Sequence, residues 1–402
     1  MTTNGSNQQT IKEKNRALVL RCILIENLTS RAGISRRLGL TKTTLTNIVN
    51  ELIDDGYITE REKSLDKSAH SPGRKSIELG LSPAAPLACG ILIQRNKFQM
   101  ILSSLDGSIK KRCSYSYKGN ISPEDFELIL KQMYRELLED NSARIIGIGI
   151  ASIGPLNTSS GTLLNPVNFF DRECVFDICS CVRSFSGLPV TLCNDASAGA
   201  VAEKLLGKGR GEHNFVYIST YKGAGAGFYL DDKLFSGENG QNGEIGHMSI
   251  NFEGPLCHCG NRGCLELYAN IDTLVEKRMY LKYAFPDHPI FVRDDITILD
   301  LLHLVDENDA IAISVVNEYC RYLSFAAANL ITQLNIQLVI LAGSPDIQND
   351  FFERTLENQI NEHSLMSKYQ KISVIKSDFG LSSPLYGSAC IILNDLFEGR
   401  IY

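Results

Sequence analysis

Four side chains constrain this chain more than anything else in it: His247, Cys257, Cys259 and Cys264 fall within eighteen residues, in the stretch Gly243-Glu-Ile-Gly-His-Met … Pro-Leu-Cys-His-Cys-Gly-Asn-Arg-Gly-Cys-Leu-Glu266. Three thiolates and one imidazole form a closed tetrahedral set that suits zinc and leaves no position for a catalytic water. The chain must fold back on itself here, and Gly260 and Gly263 allow the tight curl. Glu244 and Glu266 flank the ligands. The metal is therefore expected to be structural, clamping a polar pocket. His258, between two ligands, is expected to be exposed.

At 402 residues the chain is long for one core, so two or three domains are expected. No apolar run reaches the ~18–20 residues that span a bilayer, which argues against membrane insertion. The first ten residues are polar and lack a signal core. Nine of the 12 cysteines lie outside the cluster and show no regular framework, as expected for reduced thiols in a cytoplasm. The net charge of -6 hides an asymmetry: residues 1–82 carry 13 Lys and Arg against 9 Asp and Glu, and the remainder 27 against 37. A basic amino-terminal segment on an acidic body points to a nucleic-acid module joined to something else.

That segment has the matching pattern. Helical periodicity runs from Ile11 to Asn27, with Leu18, Ile23 and Leu24 among the apolar positions. Thr29 or Ser30 can cap a second helix ending at Gly39. Thr41 caps a third, Lys42 to Asp55, with Leu45, Ile48, Val49 and Leu52 inward, and Gly56 ends it. This is a helix-turn-helix. Lys42, Thr43, Thr44, Thr46 and Asn47 would face the major groove, and Arg31, Arg36 and Arg37 the phosphates. Two short strands, Tyr57–Arg61 and Ser76–Leu79, with Arg74 and Lys75 in the loop between them, would make a wing.

A linker rich in proline (Ser82–Pro86) leads into a meander of strands turning at Asp106-Gly107. There follow a helix from Pro123 to Glu139, a buried strand from Ile145 to Ile150, and a strand from Val190 that delivers Asn194 and Asp195 to the start of a helix. Read from the residues alone, Asp195 serves equally as a helix cap. A second set begins at Phe215. Gly223–Gly227 reads as a hairpin turn without a ligand, and Phe228–Leu230 as the returning strand. A long helix (Ala310–Leu334), a strand (Leu338–Ala342), the stretch Met366–Ile375 and a helix (Ser388–Glu398) close the chain. The boundaries expected are 1–82, 83–195 completed by a helix over about 380–402, and 196–379 with the metal site. Meanders followed by alternating helices and strands, twice over, suggest an α/β protein of two similar lobes with a ligand in the cleft between them.

Ile150-Ala-Ser-Ile-Gly-Pro, Cys193-Asn-Asp-Ala-Ser-Ala-Gly-Ala, Gly243-Glu-Ile-Gly-His and Cys257-x-Cys-Gly-x-x-Gly-Cys-x-Glu266 resemble, in order, the signatures of the ROK family of repressors and sugar kinases. The Gly39-Leu-Thr-Lys and Gly73-Arg-Lys stretches resemble the amino-terminal domain of its repressor branch. The resemblance implies a winged helix-turn-helix followed by a two-lobed actin-like (RNase H-like) domain of the ATPase fold. It also implies sugar contacts at Asn168, Asn194, Asp195, Glu244, His247 and Glu266. Carboxylates and an amide suit a ring of hydroxyls, since each hydroxyl both donates and accepts. One nitrogen of His247 would hold zinc and leave the other for a hydroxyl.

Kinase members carry Asp-x-Gly-Gly-Thr after their first strand. Here Leu92 stands at the aspartate, and Gln94 and Arg95 at the paired glycines; Lys222 interrupts a second phosphate loop. Leucine offers magnesium no oxygen, so no ATP and no enzymatic activity are expected, with Asp195 at the kinase-base position left to bind sugar. The reading is a cytoplasmic repressor of carbohydrate genes, binding a near-palindromic double-stranded operator as a homodimer or homotetramer and controlled by a monosaccharide that closes the lobes. The alternatives are a sugar kinase with an appended DNA-binding domain, and a regulator controlled by a membrane sugar transporter.

Overall fold

Local signals set the first three helices. The computed structural model describes residues 8–62, 77–220, 223–293, 296–342 and 350–401. Helix α1 (Gln8–Leu24) ends earlier than its apolar pattern suggests, because Asn27 turns left-handed with φ 55°. Of the apolar positions in its pattern, Leu18 is 42% exposed while Ile23 and Leu24 are buried, together with Ala17 and Leu20. Ser30 caps α2 (Arg31–Leu38) by accepting from the Gly33 amide, and left-handed Gly39 ends it. Thr41 caps α3 (Lys42–Asp54), which buries Leu45, Ile48, Val49 and Leu52 as its spacing requires. Strands β1 (Ile58–Glu62) and β2 (Ile77–Leu81) pair antiparallel, Ile58 opposite Leu81. This is a winged helix-turn-helix. The wing tip with Arg74 and Lys75 lies outside the described residues, as does Lys222.

The chain divides into two units, Met1–Cys193 with Ser388–Tyr402, and Asn194–Gly387. In the first, β3 (Leu87–Gln94), β4 (Lys97–Ser103) and β5 (Ile109–Ser116) form the expected meander. Ser122 caps α4 (Pro123–Leu138), whose Phe126, Leu130, Met133 and Leu137 face the core. Next come β6 (Ile145–Ser152), then β7 (Leu156–Asn157), β8 (Thr162–Leu164) and β9 (Val175–Asp177) as a small sheet. Helix α5 (Ile178–Ser186), which the sequence reading missed, leads to β10 (Val190–Asn194). The main sheet runs β10-β6-β3-β4-β5.

The second unit opens with α6 (Asp195–Leu206), β11 (Phe215–Ser219), β12 (Gly225–Leu230) and β13 (Lys233–Phe235). The returning strand begins at Gly225, inside the glycine run, because Gly227 lies where a Cβ would sit 2.6 Å from the Ala196 carbonyl: the glycines let α6 lie flat on the sheet. Short helices α7 (Ile271–Glu276), α8 (Pro289–Val292) and α9 (Ile298–Asp306) precede α10 (Ala310–Leu334), which Asp309 caps and left-handed Asn335 ends. Then follow β14 (Leu338–Leu341), α11 (Phe351–His363) and β15 (Ser373–Lys376). The sheet order is β13-β12-β11-β14-β15. The stretch Met366–Ile375, to which the sequence assigns no element, begins in a helical turn, Leu365–Lys368, and ends in β15. Helix α12 (Ser383–Phe397) starts before the expected Ser388. Two five-stranded mixed sheets, each carrying helices, are the repeated α/β lobes foreseen. Among the described residues no helix is long and apolar enough to cross a membrane.

Candidate functional site

The metal-binding candidates converge. One ligand atom from each of His247, Cys257, Cys259 and Cys264 lies within 4.8 Å of every other. The Cys259 and Cys264 sulfurs are 3.6 Å apart, and Cys257 Sγ is 3.7 Å from His247 Nδ1. Zinc–sulfur and zinc–nitrogen bonds of normal length give tetrahedral edges of about 3.8 and about 3.6 Å, so these distances fit the ion. Nδ1 is the histidine nitrogen aimed at the sulfurs, which leaves Nε2 for another partner.

The loop is held by backbone. Cys257 N–H donates to Asn261 O, and the Gly260 amide donates to Cys257 O. Ser249 bridges Cys264, and Leu256 bridges Arg262. Gly263 is left-handed (φ 64°), and a Cβ there would sit 1.7 Å from Asn251 O; Gly260 has φ 91°. Without a cation, burial pushes the Cys257 thiol up and Cys264 up to about 12, while the Asn261 amide draws Cys259 down. Placing a divalent ion there reverses the first two effects by favouring thiolates.

His258 is more than half exposed, as expected, but it is not idle. Its Nδ1 is 3.3 Å from Glu266 Oε1, and the same oxygen lies 3.2 Å from His247 Nδ1 and accepts from Cys257 Sγ at 3.0 Å. His247, His258 and Glu266 thus form a second, overlapping ligand group. Glu266 therefore turns one oxygen to the sulfur cluster, a partnership that spacing alone did not reveal.

Five of the six sugar candidates belong to the second unit, and contacts in the fold draw them toward the start of β12. Asn194 is the cap of α6: its Oδ1 accepts from the Ala196 and Ser197 amides at 2.9 and 3.3 Å. Asp195 is the first helical residue, and its Oδ1 accepts from Ala196 N–H at 2.8 Å. Capping thus falls chiefly to Asn194. Ala196 packs on Gly225 and Gly227 of β12. On the same strand, the Ala226 amide donates to Gly243 O at 2.7 Å, and Gly246 N–H donates to Ala224 O at 2.8 Å. These bonds place Glu244, which is exposed, and the turn Ile245–His247 beside the strand. A Cβ on Gly246 would stand 3.7 Å from the Cβ of Glu266. Asn168 belongs to the first unit, on a turn with φ 54°.

Gly243 permits this docking. Its φ is 90°, and a Cβ would sit 1.9 Å from Ala226 O. Gly243→Ala is expected to cost roughly 2–3 kcal/mol, from strain plus overpacking. Urea denaturation checks it, and an unchanged midpoint would refute the docking account.

The nucleotide positions of the family resemblance are filled differently here. Leu92 is buried in β3, 2% exposed, between Gln99 and Ala151 on the neighbouring strands. Arg95, at the tip of the β3–β4 turn, donates from Nε to Val167 O at 2.9 Å.

In the helix-turn-helix, Lys42, Thr43, Thr44, Thr46 and Asn47 are exposed along α3. The Thr44 hydroxyl is 2.8 Å from that of Thr41, so it shares in the cap. Arg31 pairs with Glu60 at 2.7 Å, and Arg37 with Glu26 at 3.3 Å. Arg36 Nε reaches back to Ala32 O. Arg31 therefore braces α2 against the wing strand, a role that its charge alone did not suggest.

The ROK family profile matches residues 88–395, and a winged helix-turn-helix DNA-binding profile matches residues 15–59. The chain is 28% identical over 402 residues to a xylose repressor of Caldicellulosiruptor bescii, covering 98% of each. It is 25% identical to an N-acetylglucosamine repressor of Escherichia coli O157:H7, covering 99% of this chain and 98% of that one. A crystal structure of a ROK family transcriptional regulator, a homologue of the E. coli MLC protein, superposes with TM-score 0.80 at 27% identity over 97% of both chains. With the family profile covering most of its length behind a winged DNA-binding domain, this chain belongs to the ROK family.

Proposed function

We propose that the chain is a transcriptional repressor of carbohydrate genes whose DNA affinity is set by a monosaccharide, and that it is not a kinase. One observation supports the reading: Asp195, Glu244, His247 and Glu266 all belong to one unit, while the positions for nucleotide and magnesium hold buried Leu92 and the side chain of Arg95. Phosphoryl transfer needs a metal bridging the phosphates and donors around them. A sugar needs only the polar set.

Asp195 and Glu244 accept from sugar hydroxyls, and Nε2 of His247 meets another while Nδ1 holds the ion. Asn194 orients the segment through its cap. Zinc held by the one histidine and three cysteines would fix the loop that carries Glu266 and supply no chemistry. The winged domain reads a near-palindromic operator as a homodimer, since a two-fold protein needs matched half-sites. The role is cytoplasmic, where the operator DNA lies. The sugar acts only through its differential affinity for the DNA-competent and DNA-incompetent states.

Fluorescence anisotropy on operator DNA, titrated with D-xylose, D-glucose and N-acetyl-D-glucosamine, tests the switch. At least one sugar should move operator Kd by fivefold or more, roughly the lower bound of ordinary allosteric coupling. No response to a broad monosaccharide panel defeats the reading. ATP consumption with any of these sugars at about 1 s⁻¹ or faster, the range of working kinases, restores the enzyme. Asn47→Ala should lower discrimination between operator and scrambled DNA by about 1–3 kcal/mol; an unchanged preference removes Asn47 from the reading set.

A further inference from the structure

The metal loop leaves and rejoins the second unit at one point. There the Ile250 amide donates to Gly263 O at 2.9 Å, and the next residue is Asn251. Asn251 gathers the base of the loop. Its carbonyl accepts from the Gly254 amide at 2.9 Å, and its Oδ1 accepts from Glu253 N–H at 3.1 Å. Its remaining group reaches farther: Nδ2 donates to the hydroxyl of Tyr268, 17 residues on, at 3.1 Å. Tyr268 follows the helical turn Leu265–Leu267 that leaves the ligand Cys264. A Cβ on Gly254 would stand 2.2 Å from that hydroxyl, so the loop closes directly over it.

Tyr268 rests on a firm base. Its ring packs on Tyr322 of α10, with centroids 5.3 Å apart. The Lys277 ammonium lies 5.3 Å from the centre of the Tyr322 ring, and the Tyr322 hydroxyl donates to Glu318 Oε1 at 3.3 Å. Lys277 and Arg278 each pair with Glu318 at 2.9 Å. Arg278 is buried and also donates to the carbonyls of Leu274 and Ser314, at 2.8 and 3.0 Å.

We infer that Tyr268 is a positioning residue for the metal: its hydroxyl, braced through Tyr322 on α10, holds Asn251 and so keeps the loop closed about His247, Cys257, Cys259 and Cys264. The inference rests on the zinc clamp proposed above and adds to it a residue that touches no ligand. Groups outside the ligand set commonly tune metal affinity by orienting what carries the ligands. Because Asn251 is exposed, water satisfies its amide when the phenol hydroxyl is removed. Tyr268→Phe therefore loses the strut while the ring keeps its place on α10.

The experiment measures zinc affinity of the full chain, stripped and reloaded, by competition with a chromophoric chelator. Tyr268→Phe should weaken zinc about fivefold, the worth of one ordinary hydrogen bond. Added to Asn251→Ala, the same change should cost less than a further twofold, since the hydroxyl acts through Asn251. Tyr322→Leu should also weaken zinc, and Tyr322→Phe, which keeps the ring, should restore it. Two readouts separate this from a general folding role: metal-free Tyr268→Phe should melt with the metal-free parent, and its cobalt-loaded form should keep the parent's visible spectrum.

Parent-strength zinc binding by Tyr268→Phe overturns the inference and leaves the clamp standing. Multiplicative losses in the Asn251→Ala background also overturn it, by showing that the hydroxyl acts elsewhere. If the parent protein takes up no zinc, the clamp falls and the inference with it.

Discussion

A chelator that strips the cation proposed for His247, Cys257, Cys259 and Cys264 is expected to lower the melting temperature of the second unit by roughly ten degrees and to abolish the proposed sugar response. A ligand held a thousandfold above its Kd contributes about 4 kcal/mol to the folded state, and a domain of about 150–250 residues loses about 2–4 °C per kcal/mol. Backbone bonds set the turns of the loop, but Cys259 is exposed, and the ion would be what ties its sulfur to those of the buried Cys257 and Cys264. Cys264, fully buried, sits nearest the chain's return to Glu266. Cys264→Ser should therefore mimic chelation and resist rescue by added zinc, whereas the chelated parent should recover. The winged domain has its own core of Leu45, Ile48, Val49 and Leu52, so operator binding without sugar should survive chelation. Elemental analysis finding no stoichiometric metal in protein purified without chelators, or melting that ignores chelator, would refute the clamp.

The second large effect is expected where α12 meets the sheet of the first unit. Gly90 and Gly149 are direct partners on the parallel strands β3 and β6, and both lie under Ser388. A Cβ on Gly149 would stand 1.9 Å from the Ser388 carbonyl oxygen; one on Gly90 would meet the Ser388 hydroxyl at 2.2 Å and Ala389 N at 2.7 Å. Backbone cannot rotate away but a hydroxyl can, which leaves Gly90 with the looser of the two backbone clashes, that with Ala389 N. Gly149→Ala should thus cost about 3 kcal/mol, the upper end of ordinary overpacking, and Gly90→Ala less. Denaturant midpoints read both. Equal midpoints for parent and Gly149→Ala, or the reverse order of the two variants, would show that α12 does not rest on this glycine pair.

Several elements were legible because their causes are local. Ser30, Gly39 and Thr41 punctuate the helix-turn-helix within a few residues of the bonds they make, and the cysteine spacing already implies a closed metal set. Other features were hidden because their causes are distant. Nothing near Leu365 announces that a helical turn precedes β15, and the short helices α7 and α8 rest on packing rather than pattern. Arg31 reads as a phosphate contact because it is basic; Glu60, 29 residues on, gives it a structural partner. Asp195 could be read from sequence as a cap, and only the fold shows Asn194 accepting from two α6 amides.

By itself, then, the sequence determined the class of each part: a basic winged helix-turn-helix, two α/β lobes, a candidate metal set of one histidine and three cysteines, and a leucine where the kinase members of the family carry aspartate. These follow from periodicity, capping and ligand chemistry, all of which act over a few residues. Tertiary structure alone decided which groups meet: Glu266 with the sulfur cluster, Gly149 beneath α12, and Arg95 on the Val167 carbonyl. Such encounters depend on how strands far apart in the chain register against one another, and no short-range property of the residues encodes that.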